Sequence, residues 1–235
     1  MVDLRSVLIG IAVIIVIYLV YSYFSSDGST KAPSIRNAES SHTIHGSSIP
    51  GGVSDNYTYS IWFYVNNWNY RYGEEKMILG RHDDNKNPAP SISFAASVNN
   101  INVRVAYHTG SSSSSASDVH TCTIENVPLQ AWTNVIISVS NRALDVYLDG
   151  KLVRTCVLPG VPTSATGNQI KLTGNGGFSG YTSNFEFKTH AINPREAYNI
   201  YKNGYGGGGI GSFFNKYRIK LAFLEDNKEV NAVEI

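Results

Sequence analysis

Residues 7–24, VLIGIAVIIVIYLVYSYF, make an apolar run of 18 residues without one charge. As a helix it would extend about 27 Å, close to the hydrocarbon thickness of a bilayer. Three readings fit such a run: a retained membrane helix, an uncleaved secretory signal, or a helix buried in a protein core. A signal has a shorter apolar stretch and small residues at its cleavage site. This run ends in Tyr21, Ser22, Tyr23 and Phe24 instead, and Tyr18, Tyr21, Tyr23 and Phe24 gather toward one end as interfacial aromatics do. The expectation is a single-pass anchor over residues 1–24, with the bilayer as a partner. Arg5 and Asp3 on one flank, and Asp27, Lys31 and Arg36 on the other, set no orientation.

Residues 25–55 are rich in Ser, Gly, Asn and Pro, and read as an extended stalk. Beyond them lie roughly 180 residues, enough for one sandwich-sized core. With 19 Lys and Arg against 18 Asp and Glu, the net charge is +1. No basic stripe breaks this balance, so nucleic acid is not an expected partner. The two cysteines, Cys122 and Cys156, fall in the strand-like segments HTCTI and VRTCVL. They are either a disulfide, which over such a loop stabilises by a few kcal/mol, or two buried thiols. Neither has a CxxC partner, which leaves zinc unsupported.

The globular pattern opens with YTYSIWFYV (57–65), whose run of β-branched and aromatic residues predicts a strand buried on both faces. WNYRYGEEK (68–76) reads as a polar aromatic loop, MILGR (77–81) as a short strand and HDDNKNPAP (82–90) as a turn. SISFAASV and INVRVAYH alternate with period two across Asn99 and Asn100, a hairpin pattern. Residues 110–118 form a Ser-rich loop tip. In LDVYLDGKLVRTCVL the Asp149-Gly150 pair predicts a type I′ turn, which needs positive φ at both positions. QIKLTG and YTSNFEFK supply two more strands.

One helix beyond the anchor is expected, with Asn193 as N-cap, Pro194 at the first position, Glu196 closing a capping box and Gly204 at the end. Residues 205–235 read as a glycine hinge followed by a β-hairpin tail. Many short strands with turn signals every 8–12 residues argue for an all-β, two-sheet antiparallel sandwich over residues 56–204.

IWFYVNNW, PLQAWTNVIISV, LDVYLDGKLV and NFEFKTHAINPREAYNIYKNG together resemble the concanavalin A-like lectin/glucanase superfamily, in its laminin-G-like and pentraxin-like branch. The resemblance covers roughly residues 50–204 and implies a jelly roll of two curved sheets. Such a domain behind one hydrophobic helix also looks similar to structural proteins of large DNA viruses with an internal membrane. CVLPGVP (156–162) and the NIYKNG ending carry that second likeness.

The chemistry of the superfamily sets four tests. Glycoside hydrolysis needs two carboxylates about 5–9 Å apart, and the superfamily's glucanases carry them in an E-x-D-x-x-E run that this chain lacks. Glu74 and Glu75 are adjacent and would point to opposite sides of a strand, and no G-x-S-x-G elbow is present. Many relatives hold calcium on a loop, and Asp83, Asp84, Asn85 and Asn87 offer hard oxygens. The other reading of those residues is a solvated turn. Lectin sites stack a sugar on an aromatic ring, so Trp68, Tyr70 and Tyr72, with Tyr181 and Asn184 as a second cluster, are candidates for glycan or partner contact. His42 and His45 are either a metal pair or part of a solvated linker, and Asn56-Tyr57-Thr58 is a glycosylation sequon.

The expected function is a non-catalytic, membrane-anchored interaction protein without a cofactor, a minor component linking a viral shell to its internal membrane. The alternative is a membrane-tethered lectin, with calcium as the cation it would use.

Overall fold

The computed structural model describes residues 13–19, 29–32, 34–49, 56–110, 117–163, 165, 168–206, 220–225 and 228–234. Strands β1 (Ser29–Ala32), β2 (Arg36–Asn37), β4 (Tyr57–Asn67), β9 (Thr133–Ser140), β10 (Ala143–Leu148), β11 (Lys151–Val157) and β13 (Ser179–Lys188) build a seven-stranded sheet. Its order is β1-β13-β4-β9-β10-β11, with β2 also on β13. A six-stranded sheet packs against it in the order β3-β12-β5-β6-β7-β8. These strands are β3 (His42–Ile44), β5 (Lys76–His82), β6 (Pro88–Phe94), β7 (Ile101–His108), β8 (Ser117–Ile124) and β12 (Ile170–Leu172). All the pairings are antiparallel.

The core follows from the period-two pattern. Ile61, Phe63 and Val65 of β4, with Val135, Ile137 and Val139 of β9, meet Ile92, Phe94, Val103 and Val105 of the facing sheet. The expected burial of both faces of β4 has a second source. The helix Pro194–Lys202 covers part of the outer face of the seven-stranded sheet, where Trp62 of β4 stacks on Tyr201, and Ile136 of β9 and Tyr147 of β10 meet Ile192, Ala197 and Ile200. Asn193 caps this helix, its side chain accepting from the Glu196 N–H while the Glu196 carboxylate accepts from the Asn193 N–H. Asp149 (φ 48°) and Gly150 (φ 72°) form the turn between β10 and β11. A Cβ on Gly150 would sit 3.0 Å from Tyr198 Cα, so the helix rests directly on that turn.

Cys122 and Cys156 are joined by a disulfide. The bridge runs between β8 and β11, the edge strands on the same side of the two sheets. Beside it the Arg154 guanidinium donates to the Thr123 carbonyl at 2.6 Å, a second tie between those edges.

The described part of the expected stalk is not extended linker. β1 and β2 add to β13, β3 adds to β12, and Ala38, Ile44 and Ile49 are buried. Ser, Gly and Asn are poor strand formers by propensity, and here the pairing partner overrides that preference. The hairpin expected around Asn99-Asn100 turns through six residues, 95–100, instead of two, and the Ala95 N–H donates to the Asn100 carbonyl at 2.8 Å. The tail forms a hairpin, β14 (Lys220–Glu225) on β15 (Lys228–Glu234). Residues 13–19 are helical and exposed, Tyr18 among them. Among the described residues no helix is long and apolar enough to cross a membrane. The rest of the 7–24 run, including Tyr21, Tyr23 and Phe24, lies outside the described residues, as does most of the Ser-rich tip, residues 111–116.

Candidate functional site

On β5, Leu79 faces the core, and so do Ile170 and Leu172 on the neighbouring β12. Alternation therefore turns the cross-strand pair Gly80 and Lys171 outward. Above this pair lies a cleft of ≈ 980 Å³. Met77, Gly80 and His82 contribute from β5, and Lys171 from β12. Asn168, Gln169, Gly174 and Asn175 flank β12, while Ser41, His45 and Gly46 flank β3. Lys86 enters from the turn after β5.

Two glycines keep the floor open. A Cβ on Gly80 would lie 3.1 Å from Met77 Sδ and 3.2 Å from His82 Cε1, and one on Gly174 would lie 2.8 Å from Met77 Sδ. The thioether and the imidazole thus lie across positions that a side chain would fill. Burial lowers the pKa of His82, Lys171 lowers it further, and Asp83 opposes both. Among the described residues the lining contains amides, a hydroxyl, imidazoles and ammonium groups, and no carboxylate.

The nearest acids are turned into the rim. Asp83 Oδ1 accepts from the Asn85 and Asn87 N–H groups at 2.9 and 2.8 Å, and its Oδ2 accepts from Asn87 Nδ2 at 3.1 Å. Asp84 Oδ1 accepts from Asn168 Nδ2 at 3.1 Å, and the same amide donates to the His82 carbonyl at 2.8 Å. The residues expected to hold calcium therefore tie their own turn to the cleft. Among the described residues no three His, Cys, Asp or Glu side chains converge as metal ligands would. His45 lines the cleft, whereas His42 lies on β3, where burial and then Arg36 lower its pKa.

The aromatic loop plays a supporting part. Trp68 packs edge-to-face on Phe94, ring centroids 5.8 Å apart, and the Lys76 ammonium sits 4.7 Å from its ring centroid. With a cation over its ring and the core beneath it, Trp68 offers no open platform. Lys76 is itself buried, and its Nζ donates to the Glu74 carbonyl at 3.2 Å. Tyr70 Oη donates to the Gly176 carbonyl at 3.2 Å, and Arg71 donates to the carbonyl of Asn175. The loop thus braces the 174–177 turn that walls the cleft, while Tyr72 stays exposed.

Tyr181 and Asn184 lie on the other sheet. Tyr181 is 45% exposed and sits opposite Tyr64 on β4, and Asn184 Nδ2 holds the Gly204 carbonyl at 2.8 Å. Nearby, Trp132 stacks on Tyr205 at 4.5 Å and Trp62 on Tyr201 at 5.5 Å. The sequon is engaged as well: Asn56 Oδ1 accepts from the Asn141 N–H, and Thr58 donates to the His190 carbonyl. Three carboxylates elsewhere are paired with cations. Glu74 meets Arg71, Glu75 meets Arg104, and Glu186 sits 3.4 Å from Lys31 and 3.5 Å from Lys188.

A family model of the concanavalin A-like lectin/glucanases superfamily, Laminin_G_3, matches residues 37–197. The chain belongs to this family. The match starts inside the presumed stalk, in agreement with the strands found there. No curated protein sequence matches the chain. Among solved structures it is similar to the botulinum neurotoxin serotype G binding domain, at 13% identity and a TM-score of 0.52, over 76% of this chain and 47% of that one. It is also similar to the binding domain of botulinum neurotoxin DC in complex with rat synaptotagmin II, at 10% identity and a TM-score of 0.51, over 74% and 46%. This likeness is one of fold, and the chain spans about half the length of those structures.

Within this Laminin_G_3 domain the cleft residues His82, Lys86, Asn168, Lys171 and Asn175 were not singled out by sequence. Two signals pointed to them. A glycine inside the strand MILGR marks a place where something approaches the backbone. In QIKLTG, a lysine between two core residues must face outward.

Proposed function

We propose that this is a non-catalytic recognition domain, tethered to a bilayer through residues 7–24, and that the cleft over Gly80 is its saccharide site. The carrying observation is a glycine-floored cleft on the outer face of the six-stranded sheet, lined among the described residues by hydrogen-bonding groups and no carboxylate. Membership in a lectin/glucanases superfamily supports it. The disulfide supports a domain that faces an oxidising compartment. The test is a glycan array probed with the full chain in detergent micelles, beside Gly80→Val, with thermal unfolding as the check on folding. Glycan binding lost in folded Gly80→Val is the expected result. An array with no signal, or a folded variant that binds as well as the parent, overturns the reading. Repeating the array in EDTA reads whether calcium on the Asp83–Asn87 turn takes part: unchanged binding makes the site metal-independent, and lost binding assigns calcium to it.

A second reading keeps the tether but makes the domain a minor shell component of a membrane-containing virus, docked onto other proteins. It is favoured by exposed apolar side chains along β11 and the helix, where Val157 is 67% and Tyr198 50% exposed, together with Leu152 and Val153. Cross-linking in purified particles tests it. Links from Lys151 to a shell protein support it, and absence of the chain from the particles refutes it.

A further inference from the structure

The cleft has a polarity of its own. Lys171 stands beside Gly80 in the β5–β12 register, and His82 Cε1 lies over the same glycine, so an ammonium and an imidazole flank one open spot. Lys86 and His45 add two more nitrogen-bearing heads to the walls. Neither Lys171 nor Lys86 has a salt-bridge partner among the described residues. The two acids on the adjoining turn are held by N–H donors, Asp83 by three and Asp84 by Asn168. A neutral sugar needs donors and acceptors in mixture, and cations left unpaired around it are only partly used. An anionic group seated there meets two charge-assisted donors at once.

We infer that the cleft selects an acidic saccharide, with a sulfate or carboxylate of the sugar seated over Gly80 between Lys171 and His82. This inference rests on the reading of the cleft as a saccharide site. The amides of Asn168, Gln169 and Asn175 along the walls then take the sugar hydroxyls. His82 adds a pH dependence. Burial and then Lys171 lower its pKa, and Asp83 pulls the other way. Below its lowered pKa it becomes a second full cation facing the anion, so binding tightens as pH falls, and by linkage a bound anion raises the His82 pKa.

The experiment compares dextran sulfate with unsulfated dextran of equal length, by calorimetry, on the full chain in detergent micelles at pH 7.5 and pH 5.5. Lys171→Gln and His82→Gln are tested beside Lys151→Gln, a lysine on the far edge of the other sheet. An NMR titration of the His82 ring protons, with and without ligand, is an independent readout. Dextran sulfate should bind at least tenfold tighter than dextran, and tighter at pH 5.5. Lys171→Gln should lose at least fivefold, His82→Gln should show a smaller gain in affinity from pH 7.5 to pH 5.5 than the parent, with His45 on the same wall supplying what remains, and Lys151→Gln should change neither. The His82 midpoint should rise when dextran sulfate is bound. Equal binding of both polymers overturns the acidic-sugar inference and leaves the saccharide site standing. Binding of neither overturns both. Dextran sulfate binding that Lys151→Gln weakens as much as Lys171→Gln, or an unmoved His82 midpoint, places the anion elsewhere and overturns the inference.

Discussion

Replacing Cys122 and Cys156 together by alanine removes the covalent link between the edges of the two sheets. The bridge closes a loop with a sequence separation of 34. Chain-entropy reasoning for a loop of that length gives about 4 kcal/mol of stabilisation at 25 °C, chiefly by restricting the unfolded chain. For a domain of this size each kcal/mol moves the midpoint by about 2–4 °C, so the double variant should melt roughly 8–16 °C lower. Far-UV dichroism of the full chain in micelles measures it, and non-reducing peptide mass mapping confirms the bridge in the parent. Reductant should bring the parent to the variant's midpoint and leave the variant unmoved. A loss under about 1 kcal/mol would refute the reasoning. It would mean that the Arg154–Thr123 hydrogen bond and the packing between β8 and β11 hold those edges unaided.

Four further outcomes are expected. Asn193→Ala removes one half of the reciprocal capping box and should cost about 1–2 kcal/mol in chemical unfolding. Gly180→Ala should be severe, at least about 3 kcal/mol, because its Cβ would lie 1.9 Å from the Tyr64 carbonyl oxygen at a φ of +154°, read as loss of folded yield and midpoint. Trp68→Ala should lower stability by about 3 kcal/mol and strand the buried Lys76, yet leave the cleft's affinity for ligand within twofold once folding is corrected for. His82 and His42 both resist protonation in the folded state. The unfolded chain therefore binds more protons, and stability should fall as pH drops through 6.5 toward 5, with a shallower fall in His82→Gln.

The sandwich was legible because alternation and turn chemistry agree over most of the chain. Asp149-Gly150 could only be a tight turn, and Asn193-Pro194 with Glu196 could only start a helix. The segment 29–49 was not legible. Its strands are two to four residues long, too short for a period to register, and they exist because β13 and β12 offer open edges. The cleft was half legible. Aromatic side chains drew attention to Trp68 and Tyr70, but in a β sandwich rings are used first to fill the core and brace turns. The groups that line the opening are glycines, lysines, histidines and amides, which look ordinary in sequence and become a site only when β5, β12, the residues flanking β3 and β12, and the turn after β5 come together.

The strands that precede the main fold run through both layers of it. Ser29–Ala32 is hydrogen-bonded into one sheet, His42–Ile44 into the other, and His45 and Gly46 come next, on the wall of the opening. Tension drawn on the chain ahead of Ser29 is therefore borne first by the hydrogen bonds to β13, and then by the segment that shapes the mouth of the cleft. On the proposed reading of a tethered domain with a ligand in the cleft, grip and pull would share one stretch of backbone.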